Sequence, residues 1–418
     1  NVNPLVDTHL NTSTATAGEF LSWDGSDYDW AAAGADLYAA NESSPTAQPS
    51  ATGANAVAIG DSAVAPDSNA LAGPFSRSAG SHSVALGIAN NSSSYGAGGS
   101  YSISIGYQSR AMALQSVALG SSSYVDSDSS RGLALGENAF VQQCDYGTAL
   151  GAGARVYGGN TATEATAIGS SYASGTASFA AAIANNTSTY GAQGANSLAI
   201  GRRAKAAAQS AAMGYSATAD GSYSLALGTY AKASAFSSIA ISAETSGYYT
   251  EALQSNSVAI GTRAKANIRG KFAFANGAFG DNGDAQLGIF SLRSDTTDAT
   301  AEALTTNKST AGTTNQVVLP NNSAYGFTGT IIARENSAQT NDFAVWEVKG
   351  GAVRAASAAT TALGSYNINK ISESTGAAAW AIAISADTTN GAIAFTVTGE
   401  ASHSIRWVAT INTTEVTY

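Results

Sequence analysis

The sequence predicts an all-β chain in which a coil of stacked parallel strands is followed by an antiparallel β domain. The pentapeptide Ser-Val-Ala-Ile/Leu-Gly, or a close variant of it, recurs from Gly60 to Gly261. The repeats contain many Gly, Ala and Ser residues and no Trp, whereas residues 285–418 contain strand-like runs of alternating character between turns. A short fixed period is typical of solenoids, in which each repeat packs on its neighbours. The alternation is typical of antiparallel strands.

Composition divides the 418 residues into three regions. Residues 1–52 are predicted to be an N-terminal connector, residues 53–284 the repeat coil, and residues 285–418 a C-terminal β-sandwich or jelly roll. The net charge of −10 is concentrated near the N-terminus, because residues 1–76 contain nine acidic and no basic residues. No region has the strongly basic character of a nucleic-acid binder, so we expect no nucleic-acid partner.

Each repeat is predicted to contain two short strands, separated by a glycine that permits the turn. The eleven repeat-turn glycines are Gly60, Gly87, Gly106, Gly120, Gly136, Gly151, Gly169, Gly201, Gly214, Gly228 and Gly261. In the strand before the glycine, such as Val57-Ala58-Ile59, large and small apolar residues fall on opposite faces. A strand with two apolar faces is typically buried on both sides. Because so narrow a coil has little interior, we predict a homo-oligomer.

The strand after the glycine has a variable residue between two small ones, as in Ala204-Lys205-Ala206, which predicts one outward side chain per turn. The position four residues after the glycines holds Val64, Arg110, Tyr124, Phe140, Arg155, Ala173, Lys205, Thr218, Lys232 and Lys265. If the turns stack in register, these residues form a column. One interpretation is a solvated face that keeps the protein soluble. The other is a strip that contacts anionic surface glycans through cationic and aromatic side chains.

Two steps of the array are 19 residues long, from Gly87 to Gly106 and from Ala182 to Gly201. Their sequences match closely, which indicates that a longer block was duplicated. Insertions in solenoids form loops on one face, so Tyr95 and Tyr190 in these insertions are further candidates for receptor contact. The alternative is that each tyrosine anchors its own loop.

The segments Ser224-Leu-Ala-Leu-Gly-Thr-Tyr-Ala-Lys-Ala233 and Ser257-Val-Ala-Ile-Gly-Thr-Arg-Ala-Lys-Ala266 resemble the head repeats of YadA-type trimeric autotransporter adhesins. The resemblance covers residues 53–280. It implies a left-handed parallel β-roll in which three chains pack side by side. Adhesins of that family continue into a heptad coiled-coil stalk and a membrane barrel. The sequence shows neither heptads nor strands with aromatic girdles, so we expect no membrane insertion.

The regions outside the repeats resemble parts of tailed-phage proteins. Val318-Leu-Pro-Asn-Asn-Ser-Ala-Tyr-Gly-Phe-Thr-Gly329 and Gly399-Glu-Ala-Ser-His-Ser-Ile-Arg-Trp-Val408 look like a domain found at the ends of phage fibre and tail proteins. Residues 17–30 resemble a short module of phage fibres. These resemblances imply contact with other virion proteins through the N-terminal region. In the C-terminal domain, Lys349-Gly-Gly351 and Asp387-Thr-Thr-Asn-Gly391 are predicted hairpin turns.

No motif predicts catalysis, and we expect no enzyme activity, cofactor or metal. Asp126 and Asp128 are the nearest approach to a hydrolytic carboxylate pair, but they lie in a Ser-rich segment for which a solvated loop is the alternative. The segment Asp281-Asn-Gly-Asp284 has too few oxygen ligands for a calcium site. The lone Cys144 is expected to be a packing residue, since the three histidines are scattered along the chain.

Three functions fit these features. The first is a homotrimeric fibre on the surface of a tailed-phage virion, a rigid spacer that binds a host cell-surface glycan or protein. The alternative is the head of an adhesin on a bacterial surface, which binds host or matrix components. The third, a glycan-depolymerising tailspike, needs clustered acidic residues that the Ala-rich repeats do not supply. We therefore predict binding without turnover, with avidity from three identical sites.

Overall fold

The computed structural model describes residues 19–23, 28–32, 47–90, 92–182, 189–244, 248–336 and 341–418. Over these residues the chain is all-β, with two short 3-10 helices at Ala358–Thr360 and Thr375–Ala377 and no α-helix. No helix in this part of the chain could cross a bilayer. Two compact units, Asn1–Met112 and Ala113–Tyr418, divide the chain within the repeat array.

The first unit contains an antiparallel hairpin followed by short parallel strands. Its strands are β1 (Glu19–Trp23), β2 (Tyr28–Ala32), β3 (Ser50–Ala51), β4 (Val57–Ala58), β5 (Val64–Ala65), β6 (Leu71–Ala72), β7 (Val84–Leu86), β8 (Gly96–Ala97), β9 (Ile103–Ile105) and β10 (Arg110–Ala111). Strands β4, β6, β7 and β9 form one parallel ladder. Parallel pairing begins at Ser50, which lies opposite Val64, so it starts slightly before residue 53.

In the second unit each repeat forms a two-strand turn. The strands are β11 (Val117–Leu119), β12 (Tyr124–Val125), β13 (Leu133–Leu135), β14 (Phe140–Asp145), β15 (Thr148–Leu150), β16 (Arg155–Thr163), β17 (Thr166–Ile168), β18 (Tyr172–Ala173), β19 (Phe179–Ala181), β20 (Gly191–Ala192), β21 (Leu198–Ile200), β22 (Lys205–Ala206), β23 (Ala211–Met213), β24 (Thr218–Ala219), β25 (Leu225–Thr229), β26 (Ala231–Ala233), β27 (Ile239–Ala243), β28 (Thr250–Ala252), β29 (Val258–Thr262), β30 (Lys265–Ala266) and β31 (Phe272–Asn276). The odd-numbered strands form a parallel sheet, here the pentapeptide sheet. The even-numbered strands form a second parallel sheet, here the column sheet.

The interior of the coil is filled mainly by alanine. In the pentapeptide sheet, Ala134, Ala149 and Ala167 are fully buried and lie opposite one another in successive turns. Fully buried residues such as Ala206 and Ala219 occupy the inward positions of the column sheet. Because methyl groups fill so little volume, the interior supplies only a modest hydrophobic stabilisation per turn.

Small and large residues compensate each other where the column sheet carries valine. The first position of the pentapeptide is usually Ser, but it is Gly147 where Val141 points inward. A Cβ atom on Gly147 would lie 2.7 Å from Val141 Cγ1, well inside van der Waals contact. Gly132 stands in the same relation to Val125. In these turns, glycine at the first position of the pentapeptide therefore accompanies valine at the inward position of the column sheet.

The turn glycines adopt backbone angles that favour glycine. All eleven have positive φ, the region that other residues rarely occupy. At Gly228, with φ of 97°, a Cβ atom would also lie 2.0 Å from the carbonyl oxygen of Ser242 in the next turn. Close stacking of successive turns adds a steric reason for glycine at that corner.

The C-terminal part of the second unit is a sandwich of two antiparallel sheets. Its strands are β32 (Ala285–Thr296), β33 (Ala301–Ala303), β34 (Val317–Val318), β35 (Ser323–Glu335), β36 (Phe343–Arg354), β37 (Ala362–Glu373), β38 (Ala381–Asp387), β39 (Ala392–Thr398) and β40 (Ile405–Thr417). The large sheet has the order β32-β40-β35-β36-β37. In the small sheet β39 pairs with β33, β34 and β38. Trp346, Trp380 and Trp407 are buried in a common core.

One of the two predicted hairpin turns in this domain is correct. The segment Asp387-Thr-Thr-Asn-Gly391 connects β38 to β39 as predicted, and the Asp387 carboxylate accepts the backbone amides of Thr389 and Asn390. The prediction for Lys349-Gly-Gly351 is wrong. These residues lie within strand β36, where Gly351 is opposite Gly326 of β35. Glycine pairs favour turns, but here neighbouring strands on both sides hold the segment extended.

Candidate functional site

The outward residues of the column sheet form a continuous column in the second unit. Strand register places the following residues at successive positions: Tyr124, Phe140, Arg155, Tyr172, Gly191, Lys205, Thr218, Lys232, Glu251 and Lys265. The predicted outward position of Ala173 is wrong, because Ala173 is buried and Tyr172 lies opposite Arg155. The strand begins only three residues after Gly169. The prediction also missed Glu251, whose preceding repeat ends in Ser242 instead of glycine.

The column begins with an aromatic stack. The rings of Tyr124 and Phe140 have centroids 4.9 Å apart, and the guanidinium of Arg155 lies 5.2 Å from the Phe140 ring centroid. Burial raises the pKa of Tyr172, an effect that its hydrogen bond with Ser174 opposes. Tyr124, Phe140 and Tyr172 are half-buried, and Arg155 is exposed. Partly open ring faces beside a guanidinium are suited to stacking against a sugar ring and pairing with an acidic group.

Further along the column, lysines are paired with carboxylates of the same chain. Lys205 Nζ lies 2.9 Å from Asp220, and Lys232 Nζ lies 3.2 Å from Glu251. Partly exposed pairs of this kind contribute little to stability. They do cancel local charge, so two of the predicted basic contact residues are neutralised. The aromatic stack is therefore the better candidate for ligand contact.

The structure brings together two other predicted contact residues, in the first unit. The Arg110 guanidinium lies 5.7 Å from the ring centroid of Tyr95, and Tyr95 is half-buried. This cation–π contact ties the first insertion to strand β10. Tyr190 is also half-buried. Residues 183–188 of the second predicted insertion lie outside the described residues.

A second aromatic row was missed by the sequence reasoning. The rings of Tyr215, Tyr230 and Tyr249 meet edge to face, at centroid distances of 5.4 and 5.6 Å. Arg202 lies 5.6 Å from the Tyr215 ring and Lys232 lies 5.5 Å from the Tyr249 ring. A hydrogen bond with Tyr215 raises the pKa of Tyr230. The sequence signal was an aromatic residue in the corner after the pentapeptide, whereas the prediction considered only the fourth position.

The two carboxylates considered for glycan hydrolysis have different environments. Asp126 is buried, and it accepts hydrogen bonds from Ser129 Oγ at 2.5 Å and from the backbone amide of Gln143 at 3.1 Å. Asp128 is exposed. Hydrolytic pairs face a common substrate across a defined gap. Asp126 instead stabilises the corner of its turn.

The Asp284 carboxylate also binds backbone amides. It accepts amide hydrogen bonds from Phe279, Gly280 and Asp281 at 2.9, 2.6 and 2.8 Å. Burial works against the ionised form, but these three donors hold the pKa of Asp284 below its ordinary value. Within the described ranges no group of three His, Cys, Asp or Glu side chains could hold a metal ion. Cys144 is buried, and burial raises the pKa of its thiol.

The pentapeptide sheet exposes a row of large apolar side chains on its outer face, here the apolar row. Leu135, Leu150 and Ile168 lie opposite one another in successive turns and are 38%, 38% and 37% exposed. Leu227 and Phe274 in later turns are 38% and 41% exposed. Contiguous apolar surface of this extent is unusual on monomers and typical of interfaces.

The sequence model of the YadA head domain repeat matches residues 51–72, 97–123, 192–211, 207–231 and 247–279. The coil therefore contains YadA head repeats in these segments, as the sequence resemblance implied. No curated protein sequence matches the chain.

Two phage tailspikes are among the solved structures that resemble the chain. One is tailspike protein gp49 of Acinetobacter baumannii bacteriophage Fri1, a capsular polysaccharide depolymerase, at 10% identity and a TM-score of 0.23, covering 86% of this chain and 70% of that one. The other is the tailspike of Acinetobacter baumannii phage AM24, at 9% identity and a TM-score of 0.19, covering 75% and 62%. At TM-scores this low, neither likeness bears on what this chain binds or does.

Proposed function

We propose that the protein is a trimeric, surface-exposed binding fibre of a tailed-phage virion, which attaches to a glycan or protein of the host cell surface without chemical turnover. One observation carries the proposal: a coil of YadA head repeats exposes the apolar row on one sheet and the aromatic stack on the other. The first face is suited to joining copies of the chain, and the second to binding a ligand.

The apolar row accounts for assembly. Side chains such as Leu150 and Ile168 leave more than a third of their surface in water in a single chain, and covering that surface is favourable by about 25 cal/mol per Å². Each coil has one such face. A closed ring of copies can bury every face in a shared core, whereas an open arrangement would leave the terminal ones uncovered. The number three comes from the resemblance to trimeric adhesin heads.

The ligand side of the proposal rests on the aromatic stack of Tyr124, Phe140 and Arg155. A weak contact to each stack becomes strong when three copies engage one cell surface, because the later contacts form at a high effective concentration. The virion assignment rests on the resemblance of residues 17–30, 318–329 and 399–408 to phage fibre segments. The match to YadA head repeats favours the second candidate, an adhesin on a bacterial surface.

The proposal is tested by separating assembly from binding. Leu150→Glu places a charge in the apolar row, so we expect monomers in light scattering and at least a tenfold loss of binding to host cells as avidity disappears. Thr218→Glu adds the same charge to the opposite sheet and should leave a trimer. Assembly unaffected by Leu150→Glu would contradict the interface.

A second variant in the same experiment addresses the ligand. Tyr124→Ser with Arg155→Ser removes two members of the stack while leaving the apolar row intact, so we expect a trimer that binds host cells more weakly. The control pair Thr218→Ser with Lys205→Ser changes two column residues outside the stack, and it should leave binding unchanged because Lys205 is already paired with Asp220. Gold-labelled antibody against the protein should decorate phage particles. Labelling of bacterial cells that carry no phage would favour the adhesin.

A further inference from the structure

The large sheet of the C-terminal domain has an outer face that no other part of the described chain packs against. Its inner face carries buried residues such as Trp346 and Trp407. Its outer face carries Leu287, Val408 and Val416, which are 40%, 44% and 46% exposed. Two adjoining grooves of about 720 and 530 Å³ cross this face. This surface, the outer face of β32, β40, β35, β36 and β37, is called the C-terminal face below.

The C-terminal face continues the apolar row strand by strand. Ile260 of the coil lies opposite Phe274, and Phe274 lies opposite Leu287 of β32. Leu287 in turn lies opposite Thr414 of β40, which lies opposite Gly326 of β35. Gly326 lies opposite Gly351 of β36. Because opposite residues in paired strands project from the same face, the coil and the large sheet present one continuous surface.

At three positions on this face, neither the backbone conformation nor the packing within a single chain requires the glycine that is present. None of Gly326, Gly351 and Gly364 has a positive φ. A Cβ atom on Gly326 would meet nothing within 4 Å, and on Gly351 or Gly364 it would meet a carbonyl oxygen no closer than 3.7 or 3.5 Å. A Cβ atom would therefore fit at each of the three positions in a single chain.

Glycine inside a strand weakens the strand, and it commonly marks a place where another backbone approaches closely. The three glycines lie together, since Gly326 is opposite Gly351 and Gly364 is on the adjacent strand β37. Their position on the continuation of the apolar row indicates what approaches. Because the apolar row and the C-terminal face are continuous, a second copy of the chain that covers the row would also contact this face.

We propose that a second copy of the chain packs against the C-terminal face, with its backbone closest at Gly326, Gly351 and Gly364. This inference rests on the trimer of the proposed function and extends its interface from the coil into the C-terminal domain. It also explains the wide, open grooves, which a single chain leaves unfilled.

The test is cross-linking in the full-length protein. Thr414→Cys places a thiol on the C-terminal face, and Ser385→Cys places one on the exposed side of the small sheet. Cys144 is buried, so each variant has one accessible thiol per chain. With a short bis-maleimide we therefore expect covalent dimers for Thr414→Cys and none for Ser385→Cys. Adding Gly326→Arg should reduce the Thr414→Cys products at least tenfold. Ala383→Arg, an exposed substitution on the small sheet, should not.

The possible outcomes distinguish this inference from the function on which it rests. A trimeric mass without Thr414→Cys products would overturn the C-terminal interface and leave the coil trimer standing. A monomeric mass would contradict both the C-terminal interface and the coil trimer. If host polysaccharide protects an otherwise unlinked Thr414→Cys from a monofunctional maleimide, the grooves are a glycan site and the inference is wrong.

Discussion

The coil and the C-terminal domain of the second unit bury apolar surface in opposite ways. The coil keeps its smallest side chains inside and turns large ones such as Leu150 outward, whereas the domain keeps Trp346, Trp380 and Trp407 inside. A domain with a tryptophan-rich core can be stable as a single chain. A coil filled with alanine leaves its large residues exposed in a single chain, so the proposed trimer would link its stability to its assembly.

The two regions meet at a buried ion pair. Lys271 occupies the position that Ser257 holds one turn earlier, at the start of a pentapeptide strand. Its Nζ lies 2.6 Å from Glu415, whose carboxylate also accepts from Gln286 and Thr413 at 2.7 Å. Gly288 makes room for the pair, because a Cβ atom there would lie 2.4 Å from Glu415. Burial lowers the pKa of Lys271, and Glu415 opposes that shift.

Breaking this ion pair should have the largest effect on the junction. Lys271→Met leaves the Glu415 carboxylate buried without its cation, which we expect to cost about 3–5 kcal/mol. Unfolding in urea, followed by tryptophan fluorescence, measures the change. Lys308→Met breaks the exposed pair with Asp295 and should cost under about 1 kcal/mol. The double variant Lys271→Met with Glu415→Leu should recover most of the loss, and equal costs for the two single variants would show that the buried pair has no special role.

A smaller effect is expected inside the coil, where volumes are matched. Gly147→Ser restores the common residue of the repeat but places a Cβ atom 2.7 Å from Val141 Cγ1. We expect a loss of about 1–3 kcal/mol from overpacking. Val141→Ala in the same chain should relieve it, and a double-mutant cycle from thermal unfolding gives the coupling. Additive effects of the two substitutions would contradict the volume compensation.

The smallest effect concerns the dependence of stability on pH at the end of the coil. The folded pKa of Asp284 lies below its ordinary value of 3.8. Its stabilisation is therefore present above pH 3.8 and is lost as the pH falls through the folded pKa. Asp284→Asn should lower stability by on the order of 1 kcal/mol near neutral pH. The difference from the parent protein should shrink on acidification, and a difference that is constant with pH would rule out this role.

Sequence periodicity was enough to predict the coil, because the determinants of each turn lie within one repeat. The glycine corners and the outward position of Lys205 follow from spacing alone. Tyr172 was misplaced because one turn is a residue shorter, and a fixed offset does not detect that. The ion pair joins residues 144 positions apart, a separation at which local patterns carry no information.

The predicted contact residues show the same limit. Their positions on the column sheet follow from the repeat, but the pairing of Lys205 with Asp220 depends on which side chains meet in the next turn. The Tyr215 row went unnoticed because Tyr215 and Tyr230 lie at different distances from their glycines and the repeat before Tyr249 ends in Ser242. Sequence spacing thus predicts which face a residue occupies, while charge neutralisation and stacking depend on contacts between turns.

The mass of the intact protein in solution is the most direct test of the central claim that copies of the chain cover the apolar row. Multi-angle light scattering of the purified full-length protein should give about 125 kDa, three times the chain mass of 41.7 kDa. The mass should persist on dilution, because burial along many turns makes dissociation slow. A stable, folded species of 41.7 kDa would contradict the account.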